Sequence, residues 1–165
     1  MPTDDRRDPA RLRAGDVMTT SLVAVDADDS VLMAWELMTR ARVHHMPVVS
    51  AGICVGLLEE RQIAVQSAVE PLGLRRRIVR DLLDGVVDRV PADTPVAEVA
   101  RRLLASRRDA VMVHGEDDAL LGMVTVHDLV RALTGEVRPR PYRDRWTCAP
   151  TLFRLTPVLP VRIPG

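Results

Sequence analysis

An internal repeat constrains this chain more than any other feature of its sequence, because a unit that occurs twice must fold twice. Displaced by about 65 residues, the sequence falls back on itself. Asp16-Val17-Met18 meets Asp81-Leu82-Leu83, Val25 meets Val90, Ala27-Asp28 meets Ala92-Asp93, Val31 meets Val96 and Val48 meets Val113. One extra residue in the turn over 116–119 then brings Gly56-Leu57-Leu58 onto Gly122-Met123-Val124. Turns absorb such insertions without disturbing the elements they join.

Within each copy the hydrophobic period changes in the same order. A β-type run over 21–25 or 86–90 comes first. A helix follows, capped by Asp29 or Ser30 and carrying Val31, Ala34, Trp35 and Met38; in the second copy Thr94 is the cap, Pro95 suits the first turn, and Val96, Val99, Ala100 and Leu103 form the apolar side. Two β runs come next, 45–49 and 53–58, then 110–114 and 120–124, each pair joined by a short turn. A closing helix begins near Glu60 or Val126, and Gly135 stops the second one. The pattern is β-α-β-β-α twice, a mixed α/β (α+β) fold. It divides the chain into a flexible N-terminal segment (1–13), a first repeat (14–70), a linker (71–78) whose last residues begin a short helix over 75–83, a second repeat (79–135) and a Pro/Arg-rich tail (136–165). Six prolines in that tail break any long helix or central strand, so it is expected to be extended or disordered, with 151–155 able to add as an edge strand.

Composition removes several function classes. The 165 residues are 47% hydrophobic, enough to fill one compact domain or two half-sized repeats. No apolar run reaches the roughly 18 residues a bilayer span needs, and residues 1–13 are charged with no apolar stretch behind them, so a cytoplasmic protein without membrane partners is expected. Cys54 and Cys148 have neither metal-ligand spacing nor the number for a disulfide framework. All basic residues other than histidine are arginine, which reads as the bias of a GC-rich bacterial genome. From Glu136 onward six arginines face Glu136 and Asp144, making the tail the basic part of a chain of zero net charge. Aromatics are 2%, and Tyr142, Trp146 and Phe153 of the four lie in the tail, so stacking platforms for single-stranded nucleic acid are poorly provided. There is no G-x-S-x-G, no Cys/His nucleophile set, no zinc set and no Gly-rich phosphate loop, so an enzyme is not expected.

The segments Asp16-Val17-Met18-Thr19, Val43-His44-His45-Met46-Pro47-Val48-Val49 and Gly122-Met123-Val124-Thr125-Val126-His127-Asp128-Leu129 resemble those of cystathionine-β-synthase (CBS) domains, over about residues 13–133. The resemblance implies an antiparallel, pseudo-twofold pair of repeats joined through their sheets, with clefts that hold adenine nucleotides or S-adenosylmethionine. It also implies homodimers shaped like flat disks, and a stand-alone bacterial regulatory module whose regulated protein is not named by the sequence. No cofactor is required on this reading; AMP, ADP, ATP and S-adenosylmethionine are the candidate ligands.

The candidate site begins with Thr125 and Asp128, where a strand turns into a helix. Thr125 suits the N-cap, and Asp128 falls in the first turn at the positive end of the helix dipole. A threonine with an acid three residues on is also a structural capping box. The functional alternative is that the helix start offers N–H groups to a phosphate while the carboxylate accepts from the hydroxyls of a ribose. By the resemblance, the same ligand would touch Met18, Val23, Val43 and His44 in the first repeat and Met123 in the second, aliphatic walls around an adenine whose edge is read by backbone groups. At the positions equivalent to Thr125 and Asp128 the other repeat has Glu59 and Gln62. A carboxylate there repels a phosphate, so one competent cleft is expected, or a second that prefers an uncharged or cationic ligand.

Other residues carry less. His44 and His45 are neighbours on a strand and point to opposite faces, so they are no metal pair. His127 and Arg75-Arg76-Arg77 read as solvated, and Trp35 as part of a helix contact or dimer seam. Two alternatives to ligand sensing stay open: a ligand-free structural dimerisation module, and a partner or nucleic-acid binder acting through the basic tail.

Overall fold

The computed structural model of the protein describes residues 8–70, 72–85, 88–116, 118–137 and 151–153. In chain order the elements are α1 (Ala14–Val17), β1 (Ser21–Val23), β2 (Val25–Asp26), α2 (Val31–Ala41), β3 (His45–Ser50), β4 (Ile53–Glu59), α3 (Glu60–Val69), β5 (Arg89–Pro91), α4 (Val96–Ser106), β6 (Ala110–His114), β7 (Leu120–Thr125), α5 (Val126–Leu133) and β8 (Thr151–Phe153). Two three-stranded sheets form, β2-β3-β4 and β5-β6-β7, each with one parallel and one antiparallel pairing, and among the described residues β1 and β8 make a separate two-stranded pairing. The mixed α/β architecture of two repeats is therefore present. No helix among the described residues is long and apolar enough to cross a membrane.

Local chemistry accounts for the boundaries. The Ser30 hydroxyl accepts from the Met33 amide at 3.1 Å and starts α2, and Arg42, at φ 53°, turns the chain into the left-handed region and ends it. In the second copy Pro95 rather than Thr94 holds the N-cap position, and Thr94 is buried. The β3–β4 hairpin turns at Ala51 and Gly52, both at positive φ, the geometry a two-residue turn between right-twisted strands requires. The β run expected over 21–25 is broken after Val23 into β1 and β2, and its counterpart pairs only over Arg89–Pro91; residues 86 and 87 lie outside the described ones. The helix expected over 75–83 is instead two short 3-10 turns, Gly73–Arg75 and Val79–Leu82. Val31, Ala34 and Met38 of α2 are buried, whereas Trp35 is 38% exposed on the same helix.

The sequence repeat and the compact unit are cut at different places. One unit joins residues 8–20 to the second repeat from 88 onward; the other runs from 21 through the first repeat to the 3-10 turns and takes in β8. Each segment leading into one copy thus packs in the unit of the other copy. The same three backbone bonds hold both lead-ins: Ala14 N–H to Thr94 O, Gly15 N–H to Ala92 O and Val96 N–H to Leu12 O in the second-repeat unit, against Val79 to Asp29, Arg80 to Ala27 and Val31 to Arg77 in the first-repeat unit, all at 2.8–3.0 Å. The cores match: Leu12, Ala14, Val17 and Met18 join Val90, Val99, Val111 and Val124 in one, and Leu74 and Val79 join Val25, Val31, Val48 and Leu58 in the other.

Candidate functional site

Two glycines explain how closely the lead-ins approach. A Cβ on Gly122 of β7 would lie 2.6 Å from the Thr19 carbonyl oxygen and 2.8 Å from the Met18 sulfur; a Cβ on Gly56 of β4 would meet only the tip of Leu83, at 2.8 Å. With no side chain at 122, Thr19 forms an antiparallel bridge with Met123, its N–H donating to Met123 O at 2.8 Å and its carbonyl accepting from Met123 N at 3.0 Å. Met18, Thr19 and Met123 are thereby fixed beside the end of β7, where α5 begins.

At that end Thr125 caps the helix. Its hydroxyl accepts from the Asp128 amide at 3.3 Å and donates to Asp128 Oδ2 at 2.9 Å, and its own amide donates to the same oxygen at 2.9 Å. The capping box expected from the sequence is formed, and it leaves the Asp128 carboxylate buried. The second oxygen, Oδ1, receives the Thr19 hydroxyl at 3.4 Å, long for an O–H···O bond. An ionised carboxylate offers about four lone-pair sites. Oδ2 is engaged twice and Oδ1 weakly, so acceptor capacity remains on Oδ1.

Of the seven residues expected to touch a ligand, Met18, Met123, Thr125 and Asp128 are thus gathered in the second-repeat unit. The other three, Val23, Val43 and His44, belong to the first-repeat unit. Val23 closes β1 and is half-buried, Val43 is half-buried between α2 and β3, and His44 is exposed, its Nδ1 paired with a carboxylate oxygen of Glu60. Sequence reasoning passed over Thr19, although it directly follows Asp16-Val17-Met18. It also passed over the close approach at Gly122, although the glycine recurs at 56.

The equivalent helix start in the first-repeat unit uses other groups in the same positions. Glu59 N–H donates to Gln62 Oε1 at 2.8 Å, and Gln62 Nε2 donates to the Leu82 carbonyl of the lead-in at 3.1 Å. Glu59 is buried, and its carboxylate is paired with the half-exposed guanidinium of Arg61. The negative charge expected at this position is therefore met in place by a cation two residues on, a neighbour the sequence reading left out.

The model of the CBS domain matches residues 14–66 and 79–135. Among solved structures, the chain is 26% identical to CBSX2, determined in complex with AMP, over 74% of this chain and 96% of that one, at a TM-score of 0.64. It is 21% identical to the CBS domain pair of protein MJ0100, in complex with 5′-methylthioadenosine and S-adenosyl-L-methionine (75% and 97% covered, TM-score 0.65). To the CBS domain of a bacterial CNNM/CorC family Mg2+ transporter in complex with ATP it is 19% identical (78% and 92% covered, TM-score 0.68). The last two likenesses concern the fold.

Proposed function

The chain belongs to the CBS domain family, and from that premise we propose that it is a regulatory, non-catalytic module that senses an adenosyl ligand. The observation that carries this reading is the Asp128 carboxylate: it is held in position by Thr125 and Thr19, yet Oδ1 keeps acceptor capacity for a ribose hydroxyl. Relatives of the same fold are complexed with AMP, ATP, 5′-methylthioadenosine or S-adenosyl-L-methionine, which supports AMP, ADP, ATP and S-adenosylmethionine as the ligands to try. On this reading Thr125 and Asp128 face the ribose and phosphate side, Met18 and Met123 supply aliphatic walls, and Val23, Val43 and His44 are the further contacts. The protein works as a homodimer in this proposal, and static light scattering at micromolar concentration tests that.

One observation favours the alternative of a ligand-free structural module. Each hydrogen bond of the Asp128 carboxylate serves the helix start or the lead-in, which is sufficient employment for a buried carboxylate. Calorimetry of the full chain with the four ligands separates the two readings. Saturable heat with at least one of them at submillimolar concentration is expected; no heat with any at millimolar concentration leaves the structural reading standing.

A further inference from the structure

The acceptor sites of the Asp128 carboxylate can be counted, and the count bears on which sugar it can hold. An ionised carboxylate has about four lone-pair sites, two on each oxygen. Both on Oδ2 are taken, by the amide and the hydroxyl of Thr125 at 2.9 Å each. On Oδ1 one is taken by the hydroxyl of Thr19, at 3.4 Å, and one is left. A ligand that turns one hydroxyl to Asp128 therefore meets a ready acceptor. The vicinal diol of a ribose offers two donors, and with Oδ2 committed to the helix start the second acceptor is the one Thr19 holds.

Thr19 can give that acceptor up without disturbing the strands. Its backbone is fixed: its N–H and carbonyl are bonded to Met123 at 2.8 and 3.0 Å, and a Cβ on Gly122 would lie 2.6 Å from its carbonyl oxygen. Its side chain turns separately. The residue is half-buried, so a change of χ1 rotamer takes the hydroxyl off Oδ1 and leaves the bridge intact, and the bond that breaks is a long one. We propose that the Thr19 hydroxyl is an internal competitor for the ribose diol, and that it sets how strongly the site prefers a ribose to a deoxyribose. The inference rests on the adenosyl reading above and adds its selectivity. Thr19 and Asp128 belong to one compact unit. Displacing the hydroxyl weakens the binding of a sugar with both hydroxyls and leaves a sugar with one unaffected.

Calorimetry of the full chain with AMP, 2′-deoxy-AMP and 3′-deoxy-AMP tests this in the wild type, Thr19→Val and Thr19→Ser. Valine keeps the shape of threonine and loses the donor; serine keeps the donor. Thr19→Val should bind AMP about threefold to tenfold more tightly than the wild type, the worth of one hydrogen bond that the ligand no longer has to displace. Both deoxy forms should stay within about twofold of their wild-type affinity, and Thr19→Ser should match the wild type throughout. Equal or weaker AMP binding by Thr19→Val, with slow amide exchange at Met123 showing the bridge intact, overturns the competition and makes Thr19 a support for the carboxylate. A tightening shared by all three nucleotides, or seen equally in Thr19→Ser, overturns it too, since neither depends on the second hydroxyl. Where valine opens the bridge, Thr19→Ala carries the same readings. AMP bound by none of the proteins defeats the adenosyl reading for this probe and the inference with it, a result distinct from equal binding by all.

Discussion

At the start of α5 an acidic side chain, Asp128, accepts from the lead-in that crosses in front of it; at the start of α3 an amide side chain, Gln62, donates to the other lead-in. The same three backbone bonds fix each lead-in, and the lead-in beside α5 adds the bridge of Thr19 to Met123. What differs is polarity. A carboxylate that accepts from a hydroxyl can exchange that hydroxyl for one on a ligand, whereas an amide that donates to the carbonyl of half-buried Leu82 ties its helix start to the lead-in backbone itself. Two copies of one scaffold have been given a replaceable contact in one place and a permanent one in the other. Arg61 reinforces the second by pairing with buried Glu59.

The largest test of this comparison lies one turn away, at the glycines. Gly122→Ala sets a methyl group against the Thr19 backbone, which cannot swing aside without breaking its bridge to Met123, and should cost about 3 kcal/mol in denaturant unfolding. Gly56→Ala meets only a leucine side chain that can rotate, and about 1 kcal/mol or less is expected. Equal costs would show that the lead-ins are held alike.

Next in size is the exchange of partners itself. Asp128→Ala should weaken the binding of whichever adenosyl ligand calorimetry identifies by about 1.5–3 kcal/mol, tenfold or more, as for a charge-assisted hydrogen bond. Gln62→Ala should leave that affinity within about twofold while lowering the melting temperature, since its bonds are to the protein's own backbone. The melting temperature of Asp128→Ala without ligand must be recorded beside it, because the same carboxylate caps α5. Equal losses of affinity in both variants would refute the assignment of the site.

The smallest effect separates the hairpins. Cys54 and Leu120 hold the same register in β4 and β7 and are both buried. Burial pushes the Cys54 thiol from 9.0 up to about 11. The folded protein therefore keeps a proton that the unfolded chain gives up above about pH 9, so stability is complete below that pH and declines as pH rises through the folded value. About 1.4 kcal/mol should be lost by pH 10, and Cys54→Ala should flatten this limb in urea titrations at pH 8, 9 and 10. An unchanged alkaline limb in the variant would place the lability elsewhere.

Much of this was legible in the sequence where the responsible chemistry is local. Ser30, Thr125 with Asp128, the Ala51-Gly52 turn and the stop at Gly135 act over a few residues, and each fell where the pattern placed it. The exchange of lead-ins was not legible, because a 65-residue period reads the same whether residues 14–17 pack in their own copy or in the other. Thr19 was missed for the same reason: its partner is 109 positions away. The pairing of Arg61 with Glu59 escaped a reading by charge alone, since nothing in sequence marks Glu59 as buried. That residues 151–155 could add as an edge strand was expected, and Thr151–Phe153 is one; its partner β1, 130 positions earlier, was not marked in the sequence.

The interleaving of the two units also sets an order of assembly. A nascent chain completes the first repeat and its 3-10 turns while residues 8–20, already made, still have no surface to join. Those residues wait until α4, β7 and α5 have been synthesised, and then close contacts across 80 to 109 positions, from Arg13 to Asp93 and from Thr19 to Asp128. Closing so long a loop costs entropy that grows only with the logarithm of its length, but the pairing cannot begin before the far end exists. The unit that carries Thr125 and Asp128 thus closes its core after the first repeat has closed its own, although β8 joins that first unit last of all, and until that core closes the exposed β7 edge and the waiting N-terminal segment are open to pairing with another chain.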